Sequence, residues 1–422
     1  MGRAFFPLDE ELGLGPGSLT PHAYECLVRL GVRVPSFGQA ADELAATLKV
    51  RVSEAMVRRQ TEAAGAAYEA IQTAEVEWLE QAIPPAPVGA ARLQVSADGA
   101  MVPLVGGDWT EVKTVAIGQI GQGRRSNGEW GVRTEQISYF SRRSEAQQFN
   151  RLALGEVHRR GVEQADLVAA PADGAEWIQG FLDYHCPEAI RILDFAHAAE
   201  RIAEIGQACL TPDDLTPWLK AQLHQLKHDG PATVLAELQR LQETQPTLPL
   251  IVENLAYLQK RQDHMLYPTF QAQGLPIGSG SVESAHKVVV EPRLKGAGMH
   301  WAPDHVNPMV ALRTLLCNDR WADDWPKIVA HLRRQVSARK RALQQKHQHL
   351  KLARLLPPAP MTEPPAQFPD PPEPPEPPAL PKPLPPSTPP PKPKPYRPAP
   401  DHPWRHSTVG RARFQPYQPA NN

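Results

Sequence analysis

The hydrophobic pattern changes its period along the chain, and the changes divide the chain into regions. Apolar residues recur every three to four positions between Pro21 and Ile83, which predicts helices. Between Arg92 and Phe140 the period shortens to two, which predicts strands. A helical period then returns and dominates residues 198–273. The pattern therefore predicts an α/β protein with a small all-helical region before the sheet and a helical block within it.

The amino-terminal helical region contains a candidate helix-turn-helix. One helix is predicted from Pro21, and a second over Ser36 to Leu48 with its apolar residues on one face. Ser53 can cap a third helix, which would carry Arg58 and Arg59 on its exposed side. Short helices across a tight turn, the last one bearing arginines, are typical of DNA-binding motifs. An ordinary helical hairpin has the same pattern and stays open as an alternative.

The strands are predicted in two groups. Three follow one another closely, which suggests an antiparallel meander. Two further apolar runs alternate with helices. The resulting order, β, β, β, α, β, α, β, α, is the topology of the ribonuclease-H-like fold, in which the later strands add in parallel through helices. The predicted strands cover residues 92–97, 111–120, 135–140, 167–171 and 189–193.

Charge and composition change this picture in two places. The net charge of −1 excludes a uniformly basic nucleic-acid binder, but the cations are clustered. Most of the 47 prolines lie after Leu356, which predicts a disordered or polyproline II tail over 357–422. The cationic runs comprise Arg124, Arg125, Arg133, Arg142 and Arg143, and then Arg333, Arg334, Arg339, Lys340, Arg341, Lys346, Lys351 and Arg354.

The four cysteines and the apolar runs limit where the protein works. Cys26, Cys186, Cys209 and Cys317 are widely spaced with no Cys-x-x-Cys pair, so neither a zinc knuckle nor a disulfide framework is indicated. No run approaches the roughly 20 apolar residues that span a bilayer, and the start MGRAFFPLDEELG lacks the long apolar region expected of a signal peptide. We expect a cytoplasmic protein, associated with the nucleoid of a prokaryote, that has no membrane partner.

Three carboxylates at the ends of predicted elements are the candidate chemistry. Asp98 and Asp173 each precede a glycine and follow an apolar run, and Glu283 opens a helix after the turn Gly278-Ser-Gly-Ser. Each has an ordinary explanation: Asp98 with Gly99 matches a two-residue hairpin turn, Asp173 a helix cap, and Glu283 a first-turn acid. Their shared placement favours one site, because carboxylates from separate elements hold divalent metal ions for phosphodiester chemistry.

A fourth acid precedes a helix as well. Asp194 and His197, in Leu-Asp-Phe-Ala-His, are three residues apart on the first turn of a predicted helix. A helix cap combined with a salt bridge explains the pair, and zinc binding is disfavoured because no second pair of ligands stands at the required spacing. Both Asp173 and Asp194 end a strand, so the sequence leaves open which of them joins Asp98.

These motifs resemble those of bacterial insertion-sequence transposases with a DDE catalytic core, of the Mutator-like group. The resemblance covers about residues 90–322 and rests on linked motifs in the same order: Val95-Ser-Ala-Asp-Gly99, Ala172-Asp-Gly-Ala-Glu-Trp-Ile178, Leu193-Asp-Phe-Ala-His197, Gly278-Ser-Gly-Ser-Val-Glu-Ser284 and Arg293-Leu-Lys-Gly-Ala-Gly-Met-His-Trp301. It departs from the group in lacking paired cysteines for an amino-terminal zinc ribbon, and it does not account for the Pro-rich tail.

The resemblance implies a fold, a site and a reaction. It implies a ribonuclease-H-like core interrupted by an all-helical insertion, with Asp98, Asp173 and Glu283 as catalytic and metal-binding residues. Asp194 and His197 would be the accessory signature. Two Mg²⁺ or Mn²⁺ ions would serve cleavage at the element ends and joining of the 3′-hydroxyl to target DNA. We expect at least one carboxylate with a raised pKa when the metal is absent.

The partners implied are double-stranded DNA, both element ends and target, and a second copy of the chain on that DNA. Two rival functions remain: a ribonuclease-H-like nuclease that cuts without joining, and a transposase-derived DNA-binding protein without catalysis. The candidate DNA-binding residues are Arg58, Arg59, Arg124, Arg125, Lys287, Arg293, Lys295, Arg333 and Arg334.

The predicted organisation assigns each part of the chain to one region. The order is a loose lead-in (1–20), the helix-turn-helix-like region (21–83), a linker (84–91), the first part of the core (92–197), the helical insertion (198–273), the end of the core (274–322), a basic helical segment (323–356) and the Pro-rich tail (357–422).

Overall fold

The computed structural model of the chain describes residue 14 and residues 19–124 and 130–355. Most of the predicted lead-in, Arg125 and the predicted Pro-rich tail lie outside the described residues. The described residues up to Lys351 form one compact unit.

Three helices precede the sheet, and each is capped by a side chain; the cap at Ser53 was predicted from the sequence. Thr20, Ser36 and Ser53 each accept a hydrogen bond from a backbone N–H in the first turn of the helix that follows. The third helix runs for 29 residues, so it is much longer than the short second helix of a helix-turn-helix. The helices are α1 (Pro21–Arg33), α2 (Phe37–Leu48) and α3 (Glu54–Ala82).

A five-stranded mixed sheet follows, as predicted for the α/β class. Its strand order is β3-β2-β1-β4-β5; the first three strands form an antiparallel meander, while β4 and β5 pair in parallel with β1 and with each other. The strands are β1 (Arg92–Pro103), β2 (Trp109–Arg124), β3 (Trp130–Arg142), β4 (Leu167–Ala172) and β5 (Ile190–Leu193).

The turn that joins β1 to β2 corrects one interpretation of the sequence. Asp98 and Gly99 pair with Thr114 and Lys113 inside the ladder, so the hairpin-turn explanation of Asp98-Gly99 is wrong. The chain instead turns at Gly106 and Gly107, whose φ angles of 98° and 96° favour glycine. The alternating pattern after Gly99 continues the same strand, and Asp98 therefore projects from the middle of β1.

Helices connect the parallel strands and supply the predicted helical block. The connecting helices are α4 (Ala146–Arg159) and α5 (Glu176–His185), with a 3₁₀ turn at Val162–Gln164. The block after β5 consists of α6 (Phe195–Cys209), α7 (Pro212–His228), α8 (Pro231–Thr244), α9 (Pro249–Lys260), a 3₁₀ turn (Gln262–Met265) and α10 (Tyr267–Ala272).

The last elements return to the sheet and then leave it. They are α11 (Gly280–Ala285), a π-helical turn (His286–Val290), α12 (Glu291–Leu294), α13 (Pro303–Cys317) and α14 (Trp321–Leu355). Trp321, Trp325 and Ile328 anchor the first turns of α14 in the core. Within the described part of the chain, no helix is both long enough and apolar enough to cross a membrane.

Separate hydrophobic clusters attach the helices to the two halves of the sheet. One joins α1 to α3 with α13 and with the far ends of β1 and β2, through residues such as Val102 and Val112. Another joins the helical block to β4 and β5 through Ala169, Ile192 and Leu193. The amino-terminal helices and the helical block are therefore both packed onto the strands that carry the acidic residues.

Candidate active site

Three aspartates are associated with the three neighbouring parallel strands: Asp98 lies within β1, and Asp173 and Asp194 directly follow β4 and β5. The offset of 75 residues that pairs Arg92 with Leu167 also relates Asp98 to Asp173. The offset of 21 that pairs Ala172 with Leu193 also relates Asp173 to Asp194. Adjacent strands lie about 4.8 Å apart, so the three aspartates would be neighbours if the chain keeps these offsets beyond the ladders. We call Asp98, Asp173 and Asp194 the aspartate row.

Asp98 is half-buried and faces an imidazole. Its Oδ1 accepts a hydrogen bond from Gly99 N at 2.7 Å, and its Oδ2 lies 3.5 Å from His286 Nδ1. Burial raises the pKa of the Asp98 carboxyl, and the charge of Asp173 raises it further, against the opposing effects of His286, the Gly99 N–H and His197. The expected carboxylate with a raised pKa is thus Asp98, with burial as the larger cause.

Asp173 lies in the loop between β4 and α5, and residues of the helical block contact this loop. Its Oδ1 accepts a hydrogen bond from Ala175 N at 2.9 Å. Ala175 is itself the N-cap of α5, which has no side-chain cap, so the helix-cap explanation of Asp173 is wrong. Tyr257 Oη donates to the carbonyl oxygen of Asp173, and Arg261 Nη2 donates to that of Gly174 at 2.7 Å. Gly174 has φ 82°, and a Cβ there would lie 2.5 Å from Arg261 Nε. Tyr257 of α9 and Arg261, which directly follows that helix, therefore fix the backbone that carries Asp173.

Asp194 has both carboxylate oxygens committed to hydrogen bonds. Its Oδ1 caps α6 by accepting from Ala196 N at 2.6 Å and His197 N at 3.3 Å. Its Oδ2 accepts from Ser279 N and, at 2.6 Å, from Ser279 Oγ. With only 2% of the residue exposed, Asp194 ties the end of β5 to the Gly-Ser-Gly-Ser turn.

Glu283 stands next to that turn, on the exposed side of α11. Its Oε1 lies 3.5 Å from Ser279 Oγ, so the residue that binds Asp194 also neighbours Glu283. One turn later His286 begins the π-helical turn; irregularities of this kind are frequent at functional sites. The link from Ser279 to Asp194 and the link from His286 to Asp98 place the Glu283 helix along the aspartate row.

His286 is nine-tenths buried beside Asp98. Burial lowers the pKa of the His286 imidazole, while Asp98 acts in the opposite direction. Its Nε2 has no hydrogen-bond partner among the described residues. His197 is more exposed, and its Nδ1 lies 3.3 Å from Glu200 Oε2. The Asp194–His197 motif is therefore a helix cap, and its imidazole pairs with a different acid.

The predicted DNA-binding residues divide by exposure. Arg293 is a correction: only 3% of it is exposed, its Nε donates to Gly31 O at 3.0 Å, and its guanidinium packs over Phe37 and Trp301. Burial lowers its pKa to about 10. A buried guanidinium cannot contact a DNA phosphate, so Arg293 has a structural role in the core. The exposed candidates are Arg58, Arg59, Arg124, Lys287, Lys295, which lies 3.8 Å from Glu291, and Arg333 and Arg334 on α14.

The donor set is compatible with a hard divalent cation. In the described ranges, no group of three or more His, Cys, Asp or Glu side chains is gathered as a metal site. The carboxylates of Asp98 and Asp173 are nonetheless close enough for one to raise the pKa of the other. A cation near both would relieve that repulsion, and carboxylate oxygens are the ligands that Mg²⁺ prefers.

Comparison with known proteins adds no family to this description. No protein-family profile matches the chain, and no curated protein matches it.

Proposed function

We propose that the chain is a DDE transposase of an insertion sequence, with a ribonuclease-H-like core and residues 198–273 as its helical insertion. The observation that carries the proposal is the proximity of Asp173 to Asp98, whose pKa it raises, with the Glu283 helix linked to Asp194 by Ser279 and to Asp98 by His286. In this proposal the three acids, which lie on β1, in the loop after β4 and on α11, would act together at one metal site. Double-stranded DNA is the substrate, and a second copy of the chain is the expected partner on it.

The hydrogen bonds favour Asp173 over Asp194 as the second member of the triad. Four hydrogen bonds from the protein occupy the two oxygens of Asp194, and the residue is sealed from solvent. Asp173 is partly exposed and uses Oδ1 for one backbone contact. A carboxylate must offer a free lone pair to a cation, which Asp173 does at lower cost. We assign Asp194 to positioning and Asp98, Asp173 and Glu283 to catalysis.

The three catalytic carboxylates would hold Mg²⁺ or Mn²⁺. When bound, such ions polarise the scissile phosphate and assist deprotonation of the attacking water or 3′-hydroxyl. The chain's own contribution is to fix the acids: the β1 ladder holds Asp98, the contacts of Tyr257 and Arg261 hold the loop of Asp173, and Ser279 holds the start of the Glu283 helix. Preorganised ligands need little rearrangement when the substrate binds.

The test uses a supercoiled plasmid carrying the gene together with its flanking DNA. With Mg²⁺, the unaltered chain is expected to give cleaved ends and strand-transfer products. Asp98→Asn, Asp173→Asn and Glu283→Gln should each abolish both products while leaving DNA binding intact. Glu243→Gln, which alters an exposed acid on α8, is the control and should keep full activity.

The rival functions predict different products from the same assay. A nuclease would nick or cut the plasmid without joining, and a DNA-binding protein without catalysis would give a bound, uncut complex. If Asp173→Asn retains cleavage while Asp194→Asn loses it without loss of folding, the assignment of Asp173 is overturned.

A further inference from the structure

The second half of α14 has no covering element within the described part of the chain. Every residue from Arg333 to Lys351 is exposed, a helical span of about 27 Å at 1.5 Å per residue. A helix without a packed face gains no stability from a hydrophobic core. We therefore ask which partner its exposed side chains suit.

The charge on this span has one sign. Between Arg333 and Lys351 the sequence has seven Lys or Arg residues and no Asp or Glu. With 100° between successive residues, the neighbours Arg333 and Arg334 already point in different directions, and Arg339 and Arg341 stand nearly opposite one another. Cations therefore surround the helix on several sides.

Two other partners fit this surface poorly. Val336, Leu343 and Leu350 are half-exposed and seven residues apart, which gives one large apolar residue per two turns. A membrane-surface helix needs a broad apolar face with its cations opposite. A coiled coil with a second copy needs apolar residues three positions further on as well, and Arg339 and Lys346 occupy those positions.

We propose that residues 333–351 of α14 bind duplex DNA, lying in a groove where phosphates flank the helix on both sides. A helix of this width enters the major groove, and cations on several sides then reach both backbones. The surface lies on a different element from the carboxylates and acts through charge, so it holds DNA of any sequence. The inference relies on the proposed function only for the identity of the partner.

The test measures the salt dependence of binding to a labelled duplex of arbitrary sequence, about three helical turns long, in EDTA. The full chain is compared with a variant carrying Arg341→Gln, Lys346→Gln and Lys351→Gln. Each lost phosphate contact lowers the slope of log Kobs against log salt by about 0.9, so the slope should fall by up to about 2.7. The control carries Lys220→Gln, Lys227→Gln and Lys260→Gln in the helical block, has the same net charge, and should keep the parent slope.

The outcomes separate this proposal from the proposed function. Because EDTA prevents cleavage, a catalytically inactive chain still passes the test. If the control variant lowers the slope as much as the α14 variant does, net charge alone governs binding. If neither variant lowers the slope, the α14 cations make no phosphate contacts. Either result would overturn the assignment. If the α14 variant keeps the parent slope for DNA but no longer self-associates in sedimentation, the partner of this span is a second copy of the chain. If it keeps the slope but no longer binds anionic vesicles, the partner is a membrane surface.

Discussion

Ser279 donates two hydrogen bonds to a single oxygen of Asp194, one from its backbone N–H and one from its hydroxyl, across 85 residues of sequence. The contact joins the end of β5 to the start of the Glu283 helix in a nearly solvent-free environment. Removing the acceptor leaves buried donors without partners, which costs more than the bonds contributed.

Asp194→Ala is therefore expected to lower the free energy of unfolding by about 3 kcal/mol, combining a lost helix cap with unpaired donors. Urea unfolding measures it. Asp173→Ala is the matched comparison and should cost about 1 kcal/mol, because the partly exposed Asp173 side chain accepts one backbone hydrogen bond. Equal losses would contradict the division into a positioning and a catalytic aspartate.

His185 predicts how stability responds to acid. Its Nε2 lies 2.8 Å from Asn150 O, and burial lowers the pKa of the imidazole from 6.5 to about 4. Between these values the unfolded chain binds the proton and the folded chain does not, so stability is fully present above pH 6.5 and falls as the pH drops towards 4. The loss from this residue is at most about 3 kcal/mol.

The measurement is urea unfolding at several pH values from 7 down to about 4. His185→Phe should flatten this part of the pH dependence, although the hydrogen bond is lost. His349→Phe, at an exposed position on α14, should leave the slope unchanged. A parent-like slope in His185→Phe would show that other groups cause the acid sensitivity.

Glu156 joins α4 to the segment before α14 through a buried ion-pair network. Burial pushes the pKa of its carboxyl upwards, but hydrogen bonds and charge from Arg320, with help from Arg159, hold it below the usual value. Arg320 Nη1 and Nη2 lie 2.5 and 2.7 Å from the two carboxylate oxygens. Glu156→Gln should destabilise the chain by about 3 kcal/mol, because two cations lose a buried partner.

The control for this prediction has the same two-pronged geometry at the surface. Arg151 binds Glu80 through Nε at 2.8 Å and Nη2 at 2.7 Å, with both side chains partly exposed. Glu80→Gln should change thermal stability much less than Glu156→Gln, because water screens the pair. Similar losses in both variants would mean that burial does not set the strength of these pairs.

Two helical glycines should respond in opposite directions to alanine. A Cβ on Gly65 in α3 would lie 2.2 Å from Pro308 O, a backbone atom of α13 that cannot move alone, whereas Gly180 in α5 has no atom within 4 Å of a Cβ. Gly180→Ala should stabilise by about 0.5–1 kcal/mol through helix propensity. Gly65→Ala should destabilise, despite the same gain in propensity. Chemical denaturation of the two variants side by side decides the point.

The periodicity of the sequence predicted most elements correctly, because burial of one face imposes the same spacing wherever a helix or strand packs. It gave too short an extent for β1, since Asp-Gly signals a turn and the pattern cannot reveal that a cross-strand ladder continues through it. Gly106 and Gly107, a few residues later, were the better turn signal.

Contacts between distant segments were beyond the reach of the sequence. Nothing local distinguishes Arg293, which is buried, from Arg58, which is exposed, because both lie in helical stretches with apolar neighbours. Tyr257 in α9 and Arg261 directly after it hold the loop of Asp173, and they are four positions apart. That spacing is common at helices that bind nothing. The Ser279 turn was recognised, but its acceptor Asp194 was identifiable only in three dimensions.

The contacts of Tyr257 and Arg261 with the Asp173-Gly174 loop limit which substitutions the chain can accept during evolution. Residue 174 must stay glycine as long as the Arg261 side chain packs against it. Residue 257 must stay tyrosine for its hydroxyl to reach the carbonyl oxygen of Asp173. A helical block transplanted from another protein would arrive without these two side chains, and the loop would lose its support. The block and the strand ends therefore have to be inherited as a matched pair.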